Sequence, residues 1–519
     1  MCAWTSGVEW EVKDENLPKL RGELRSVDSE LIAILARRNR LVSEIGLLKR
    51  RLKMGVIDPV TEKSAMENFV ASAKKVGLNE DYARRVAELV IEVSVDAQMR
   101  SRPAAASSDA SLKQFAETIR TAEKRGRRLI RFDIGEPRFK TPSAVVNEAK
   151  RWLNRSPTML YGSSAGLTEL TDTIAAKLNN EYGTKLRRSN ILIVPGARFG
   201  IFAAIRANVS NLERVLVCRP AWPAYESCTS LVGGRILPVS TRLEDEWDID
   251  FEALEEALKL RPKMLVLNNP SNPTGKVLST ERFQEVVELA AKYRTTVLSD
   301  EVYASYCATP PPSILDYSGS KAIYINSLSK EFSMTGWRVA YTVADEQTIA
   351  KMRRLVEVTL TNVPELVQRA ALAALKDQSD EAAAGRRRIA RCLRIACDEL
   401  RKGGFEFHTP GGGFYVFPRM KRKDIDSVKF ARRLFAKYAV GVLPGAVFGD
   451  YTSFLRLAVT ESETAVRTGI RRIVKAMNEW SLESLSLVRE EWVRGLLVCS
   501  SHADTVSLSL IVIRIEPDA

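Results

Sequence analysis

Asn326-Ser327-Leu328-Ser329-Lys330-Glu331-Phe332-Ser333-Met334-Thr335-Gly336-Trp337-Arg338 directly follows the apolar run Ala322–Ile325. A short β-branched and aromatic run that ends in a hydroxyl-rich, lysine-bearing loop reads as a buried strand feeding a functional turn. Two similar junctions precede it. Met264–Asn268 runs into Asn268-Asn269-Pro270-Ser271-Asn272-Pro273-Thr274-Gly275, and Thr296–Leu298 runs into Leu298-Ser299-Asp300-Glu301-Val302-Tyr303. Ile191–Val194 and Arg214–Cys218 are further strand candidates, with helical stretches between the runs. That alternation predicts a mostly parallel α/β sheet. Ligands of such sheets bind beyond the carboxyl ends of the strands, so the three polar junctions are expected to meet in one crevice.

Outward from this core the texture changes twice. Beyond Val339 the chain turns more helical, and then Gly411–Phe417 and Phe454–Val459 suggest a small α+β domain. Residues 16–102 read as helices only. From Leu17, apolar residues at Leu20, Leu24, Val27, Leu31, Ile34, Leu41, Ile45 and Leu48 recur at helical steps. They predict one helix of about 35 residues, roughly 50 Å long, broken at Lys53-Met54-Gly55. A second helix starts near Pro59, and a third runs from about Glu80 to Arg100. Residues 103–111, small and polar, read as a linker, and 112–480 as the α/β body. Residues 481–519 form an extension with no assigned role, ending in the alternating run Val506–Ile515.

Composition narrows the chemistry. With 519 residues the chain is too long for one ordinary domain. The net charge of +14 suits anionic partners but sits largely in mixed-sign helices. Seven scattered cysteines form no Cys-x-x-Cys pair, so neither a zinc site nor a disulfide framework is indicated, and no metal is expected. The only histidines, His408 and His502, argue against a histidine-based triad. Without a signal-like leader or a run of about 18 apolar residues, a cytoplasmic enzyme is expected, with no nucleic-acid or membrane partner.

The three junctions together resemble the class-I, fold-type-I aminotransferases that use pyridoxal 5'-phosphate, across about 112–480. The resemblance implies Lys330 as the Schiff-base lysine and Asp300 as the carboxylate beside the ring nitrogen. It implies Asn272 and Tyr303 as partners of the phenolic oxygen, and makes Lys330, Asp300 and Tyr303 the catalytic set. Gly196-Ala197-Arg198, after a strand and opening a helix, resembles the phosphate turn, completed by Ser327 and Arg338. Trp222 aligns with the aromatic that stacks on the ring. Arg456 resembles the arginine that clamps the substrate α-carboxylate, Gly135 the glycine lying against it, and Tyr161 the tyrosine reaching the phosphate across a homodimer. Arg138 and Lys140, where relatives carry acidic residues, are two cations that would favour an acid with a second carboxylate.

Helical geometry constrains the first hundred residues without any family. Arg21 and Arg38 stand about 25 Å apart on one helix and cannot grip one small molecule from one chain. Arg38 and Lys49 share a face, as do the pairs Asp58/Glu62 and Ser94/Gln98. This pattern resembles the all-helical chorismate mutases, whose intertwined dimer would bring Arg21 into the partner's site. The resemblance implies Arg21 and Arg38 on carboxylates, Lys49 and Gln98 at the ether oxygen, and Asp58, Glu62 and Ser94 near the ring hydroxyl. Thr61 stands where relatives commonly place Arg, before Glu62.

The expected molecule is an all-α N-terminal domain followed by an α/β body of PLP-dependent transferase fold type I, with a large mostly parallel sheet domain and a small α+β domain. It is expected to turn chorismate into prephenate and to transaminate prephenate or an aromatic 2-oxo acid from aspartate or glutamate. An aspartate or aromatic aminotransferase with a non-catalytic helical domain is the alternative. A PLP-dependent transcription regulator is a remote one, because winged DNA-binding domains lack so long a first helix.

Overall fold

The computed structural model describes residues 17–51, 59–100, 119, 121–155, 159–317, 321–421 and 425–480. The chain divides into two compact units, residues 1–113 and 114–519.

The first unit contains α1 (Leu17–Arg51), α2 (Pro59–Lys75) and α3 (Glu80–Arg100). Pro18 falls in the first turn of α1, where a missing N–H costs nothing, and Pro59 opens α2 for the same reason. Gly77, at φ +77°, stops α2 while the Leu78 N–H returns to the Ala73 carbonyl. Asn79 Oδ1 then accepts the Tyr82 N–H at 3.1 Å and starts α3. α1 and α2 both pack on α3, through a thin seam that includes Val42, Ala73, Ala83 and Ala87. The apolar residues that mark α1 in the sequence behave otherwise. Leu24 is 60% exposed and Ile34 64%, and Leu20, Val27, Leu31, Leu41, Ile45 and Leu48 are exposed too.

The second unit holds β1 (Ile130–Arg131), β2 (Ile191–Val194), β3 (Arg214–Arg219), β4 (Arg235–Ser240), β5 (Met264–Asn268), β6 (Thr296–Asp300), β7 (Ala322–Asn326), β8 (Ala340–Val343), β9 (Tyr415–Val416), β10 (Val440–Gly441), β11 (Leu443–Pro444) and β12 (Leu455–Ala458). Seven form one sheet in the order β2-β8-β7-β6-β5-β3-β4. Its pairs are parallel except where β8 runs against β2 and β7. Two of these strands were not expected. β4 is the edge strand and tolerates Pro238 there, which hides its pattern. β8 has four residues, all buried, and so shows no periodicity.

β3, β6 and β7 each run one or two residues past the expected ends, to Arg219, Asp300 and Asn326. At β6 the sheet thereby carries its hydrogen-bonded order to Asp300, which faces the crevice. A second core joins β12, the helix Glu381–Lys402 and the helical run 463–480 around Phe132, Leu455 and Ile470. There β11, β12 and β9 form a small antiparallel sheet, and β1 pairs with β10. No described helix is long and apolar enough to cross a membrane. The expected chain break at 53–55, the linker and the extension 481–519 lie outside the described residues.

Candidate active site

A cavity of about 600 Å³ opens at the carboxyl ends of β5, β6 and β7, within the size range of small-molecule sites. Lys330 enters it from the short helix Leu328–Glu331, which Ser327 caps by accepting the Ser329 N–H at 3.2 Å. Its Nζ donates to the Gly135 carbonyl at 2.7 Å. Burial pulls the Lys330 ammonium down to about 8; Glu136 and Asp300 oppose this, while Arg456 and Arg338 add to it. Losing its proton is thus easier for this amine than for a surface lysine, which brings it nearer the neutral form that a nucleophile or base uses.

Asp300 ends β6 and is fully enclosed. Burial pushes its carboxyl up to about 6, against hydrogen bonds from Tyr225 and the Val302 N–H and the nearby charge of Lys330. Tyr225 Oη donates to Asp300 Oδ2 at 2.6 Å. Asn268, paired with Asp300 across β5 and β6, donates to the Asp300 carbonyl at 2.8 Å and accepts the Asn272 N–H at 2.7 Å. Asn272 faces the cavity, and its buried Oδ1 has no partner. Tyr303 Oη lies 2.9 Å from Tyr415 Oη.

On another wall, Gly196 (φ +89°) leads into the helix Ala197–Asn208. The left-handed φ strains any side chain there, and a Cβ would sit 2.4 Å from Arg338 Nη2, so the arginine would have to shift. The helix N-terminus, Ser327 and Arg338 meet here around the cavity, a donor set that suits a phosphate. The Arg198 guanidinium lies on the Trp222 ring at 4.8 Å. Arg456 is 5% exposed and donates to the Asp133 carbonyl at 2.6 Å. Its guanidinium rests 4.8 Å over Tyr415, and its buried Nε is unpaired.

Ala197, Arg198, Trp222, Asn272, Asp300 and Tyr303 thus share the cavity with Ser327, Lys330, Arg338, Arg456 and Gly135, and Gly196 borders it through Arg338. Tyr161 does not line it and is 87% exposed in its own chain. Arg138 stays outside as well: it pairs with Glu461 at 2.5 Å. Lys140 is exposed and does not line the cavity either, whereas Arg198 does, with no carboxylate paired to it among the described residues. Tyr225, Tyr415, Glu136 and Asn268 were missed. Tyr225 follows Trp222 by three residues through a turn that its N–H closes on the Trp222 carbonyl, which brings the two rings together; Tyr415 follows Phe414 after a glycine run, where it passes for a core aromatic.

In the helical unit, Arg38 and Ser94 come together. Arg38 Nη1 donates to Ser94 Oγ and, at 3.0 Å, to the Val90 carbonyl, and burial lowers its pKa. Lys49 lies further along α1 and is half-buried, whereas Arg21 is exposed. Glu62 and Gln98 lie in the first turn of α2 and the last of α3; Asp58 falls outside the described residues.

A seven-stranded, mostly parallel sheet with a buried lysine and carboxylate at its strand ends defines a fold-type-I transferase body, preceded by a three-helix domain. Residues 127–473 match the family model "Aminotransferase class I and II", well over half of the chain, and the protein belongs to that family, whose members depend on pyridoxal phosphate. Residues 20–99 match "Chorismate mutase type II", so the helices form a domain of that type. The Aquifex aeolicus protein named "Probable aspartate/prephenate aminotransferase" is 33% identical over 68% of this chain and 91% of its own length. The crystal structure of aspartate aminotransferase from Thermotoga maritima is 30% identical, with a TM-score of 0.67 over 70% of this chain and 96% of that one. Aspartate aminotransferase from Thermus thermophilus, solved with maleate, is 27% identical with a TM-score of 0.67 over 70% and 95%.

Proposed function

We propose that the protein is a bifunctional enzyme of phenylalanine and tyrosine synthesis. Its helical domain rearranges chorismate to prephenate, and its body transaminates prephenate or an aromatic 2-oxo acid with aspartate or glutamate as donor, as a homodimer. The observation that carries the second activity is the placement of Lys330 Nζ and the cations Arg456 and Arg198 in one cavity.

Pyridoxal phosphate, when bound, withdraws electrons from the substrate Cα. The donor set at Gly196-Ala197, Ser327 and Arg338 fits its phosphate, and Asp300 fits a protonated ring nitrogen. Trp222 supplies a flat face, with Asn272 and Tyr303 beside the phenolic oxygen. Lys330 Nζ would take the proton from the substrate Cα and hold it for return. Arg456 holds the α-carboxylate in a fork. Arg198, read from the sequence as part of the phosphate turn, would also be able to meet a second carboxylate, which aspartate, glutamate and prephenate all carry; the maleate of the Thermus relative is also a dicarboxylate.

The mutase reaction needs no proton shuttle, only charge placed around a compact dianion. Arg38, Lys49 and Gln98 of one chain would supply this with Arg21 of the partner, and Asp58, Glu62 and Ser94 would hold the ring side. Purified protein incubated with chorismate, pyridoxal phosphate and aspartate or glutamate is expected to form prephenate and then its amino acid. Transamination without any loss of chorismate would reduce the helical domain to a dimerising or regulatory role. No transamination of any dicarboxylic donor would overturn the reading.

A further inference from the structure

Tyr415 faces the cavity but has no part in the chemistry above. Its Oη lies 2.9 Å from Tyr303 Oη, and both rings are buried. A Cβ built on Gly135 would fall 2.0 Å from Tyr415 Oη, so the hydroxyl occupies the space that any other residue at 135 would fill. The ring is fixed edge-on against Tyr303, with centroids 5.3 Å apart at 85°. Two phenols at hydrogen-bond distance share one proton between them, and the other proton is free to point elsewhere.

The surroundings decide which phenol donates. Arg456, from β12, places a cation 4.8 Å over the Tyr415 ring, which favours release of its proton. Burial is the main cause that raises both phenols; Asp300 of β6 adds to it and Arg456 opposes it at both, and the rise is the larger at Tyr303, which among the described residues has no such cation over its ring. Lys330 is held on the Gly135 carbonyl, and Glu136 also faces the cavity. Tyr415 is therefore the better donor and Tyr303 the better acceptor.

We propose that Tyr415 is a positioning residue that donates its proton to Tyr303 Oη and so directs the Tyr303 proton into the cavity, toward the anionic oxygen of the bound cofactor. The proposal rests on the cofactor reading above. It makes the Tyr303 hydroxyl a stronger and better-aimed donor than a lone phenol.

The test uses the holoenzyme and the visible band of bound pyridoxal phosphate, whose pH titration follows the Lys330 nitrogen. Tyr415→Phe keeps the ring and loses only the hydroxyl. Its midpoint is expected to rise by roughly half a unit to one unit, and that of Tyr303→Phe by more. The double variant should titrate like Tyr303→Phe alone, because the effect passes through Tyr303. Tyr415→3-fluorotyrosine, a stronger donor, should move the midpoint the opposite way. An unchanged midpoint in Tyr415→Phe, or additive shifts in the double variant, would overturn the proposal while leaving the cofactor site intact. Wild-type protein that develops no band would overturn the cofactor reading and the proposal with it.

Discussion

Asp300 shows what a single buried charge does to this protein. Its folded value of about 6 lies above the ordinary 3.8. Between those values the folded state holds more protons than the unfolded chain, so cofactor-free stability falls as pH rises through that window. Asp300→Asn removes that term. The cofactor-free variant is expected to be more stable than wild type at pH 7 by up to about 2–3 kcal/mol, and the two should converge near pH 4. Transamination should drop by roughly a hundredfold or more. Chemical denaturation at both pH values checks this, and a variant less stable than wild type at pH 7 would refute it. Tyr225→Phe acts in the opposite sense, because it leaves Asp300 Oδ2 buried without its 2.6 Å donor. A loss of about 1–3 kcal/mol is expected at neutral pH, smaller below pH 4 where the carboxyl is protonated. Equal losses at both pH values would mean that Tyr225 matters only for packing.

Among the elements, legibility followed chemistry. β5, β6 and β7 could be read because each ends in residue types that a polar crevice requires in a fixed order. β8 could not, since four enclosed residues offer no alternation. Tyr415 follows Phe414 and precedes Val416, so its hydroxyl was masked by apolar neighbours. Arg138 misled for another reason: a charge near a motif says nothing of its partner, and Glu461 lies 323 residues away. Gly196 was legible as a turn between a strand and a helix, and the structure adds its left-handed φ. Gly196→Ala must adopt φ +89° and push Arg338 Nη2 aside. Strain of about 1–3 kcal/mol corresponds to a cofactor affinity roughly ten- to hundredfold weaker. Titration of the cofactor-free variant with pyridoxal phosphate measures it, and an unchanged dissociation constant would rule the strain out.

At the scale of the molecule, α1 raises a question of solvent. Leu20, Leu24, Val27, Leu31, Ile34, Leu41, Ile45 and Leu48 are all exposed in one chain, too many apolar side chains in a row for a free helix. Covering what remains exposed stabilises by about 1 kcal/mol per side chain. Eight of them yield a total on the order of the cost of bringing two chains together. A second α1 is the occupant we propose, because a partner chain could deliver the Arg21 cation that its own helix holds about 25 Å from Arg38. Leu24→Glu combined with Leu31→Glu in the full chain should therefore cut chorismate rearrangement about a hundredfold or more. Transamination, which draws on Lys330 and Arg456 in the other unit, should stay within about twofold, since the two sets of residues share no side chain. Arg38→Ala should reproduce that split without altering assembly, and Lys330→Ala should invert it. Assays of both activities on each variant, with sedimentation to follow assembly, separate the cases. A doubly charged α1 that still rearranges chorismate at the wild-type rate would mean that each mutase site is complete within one chain.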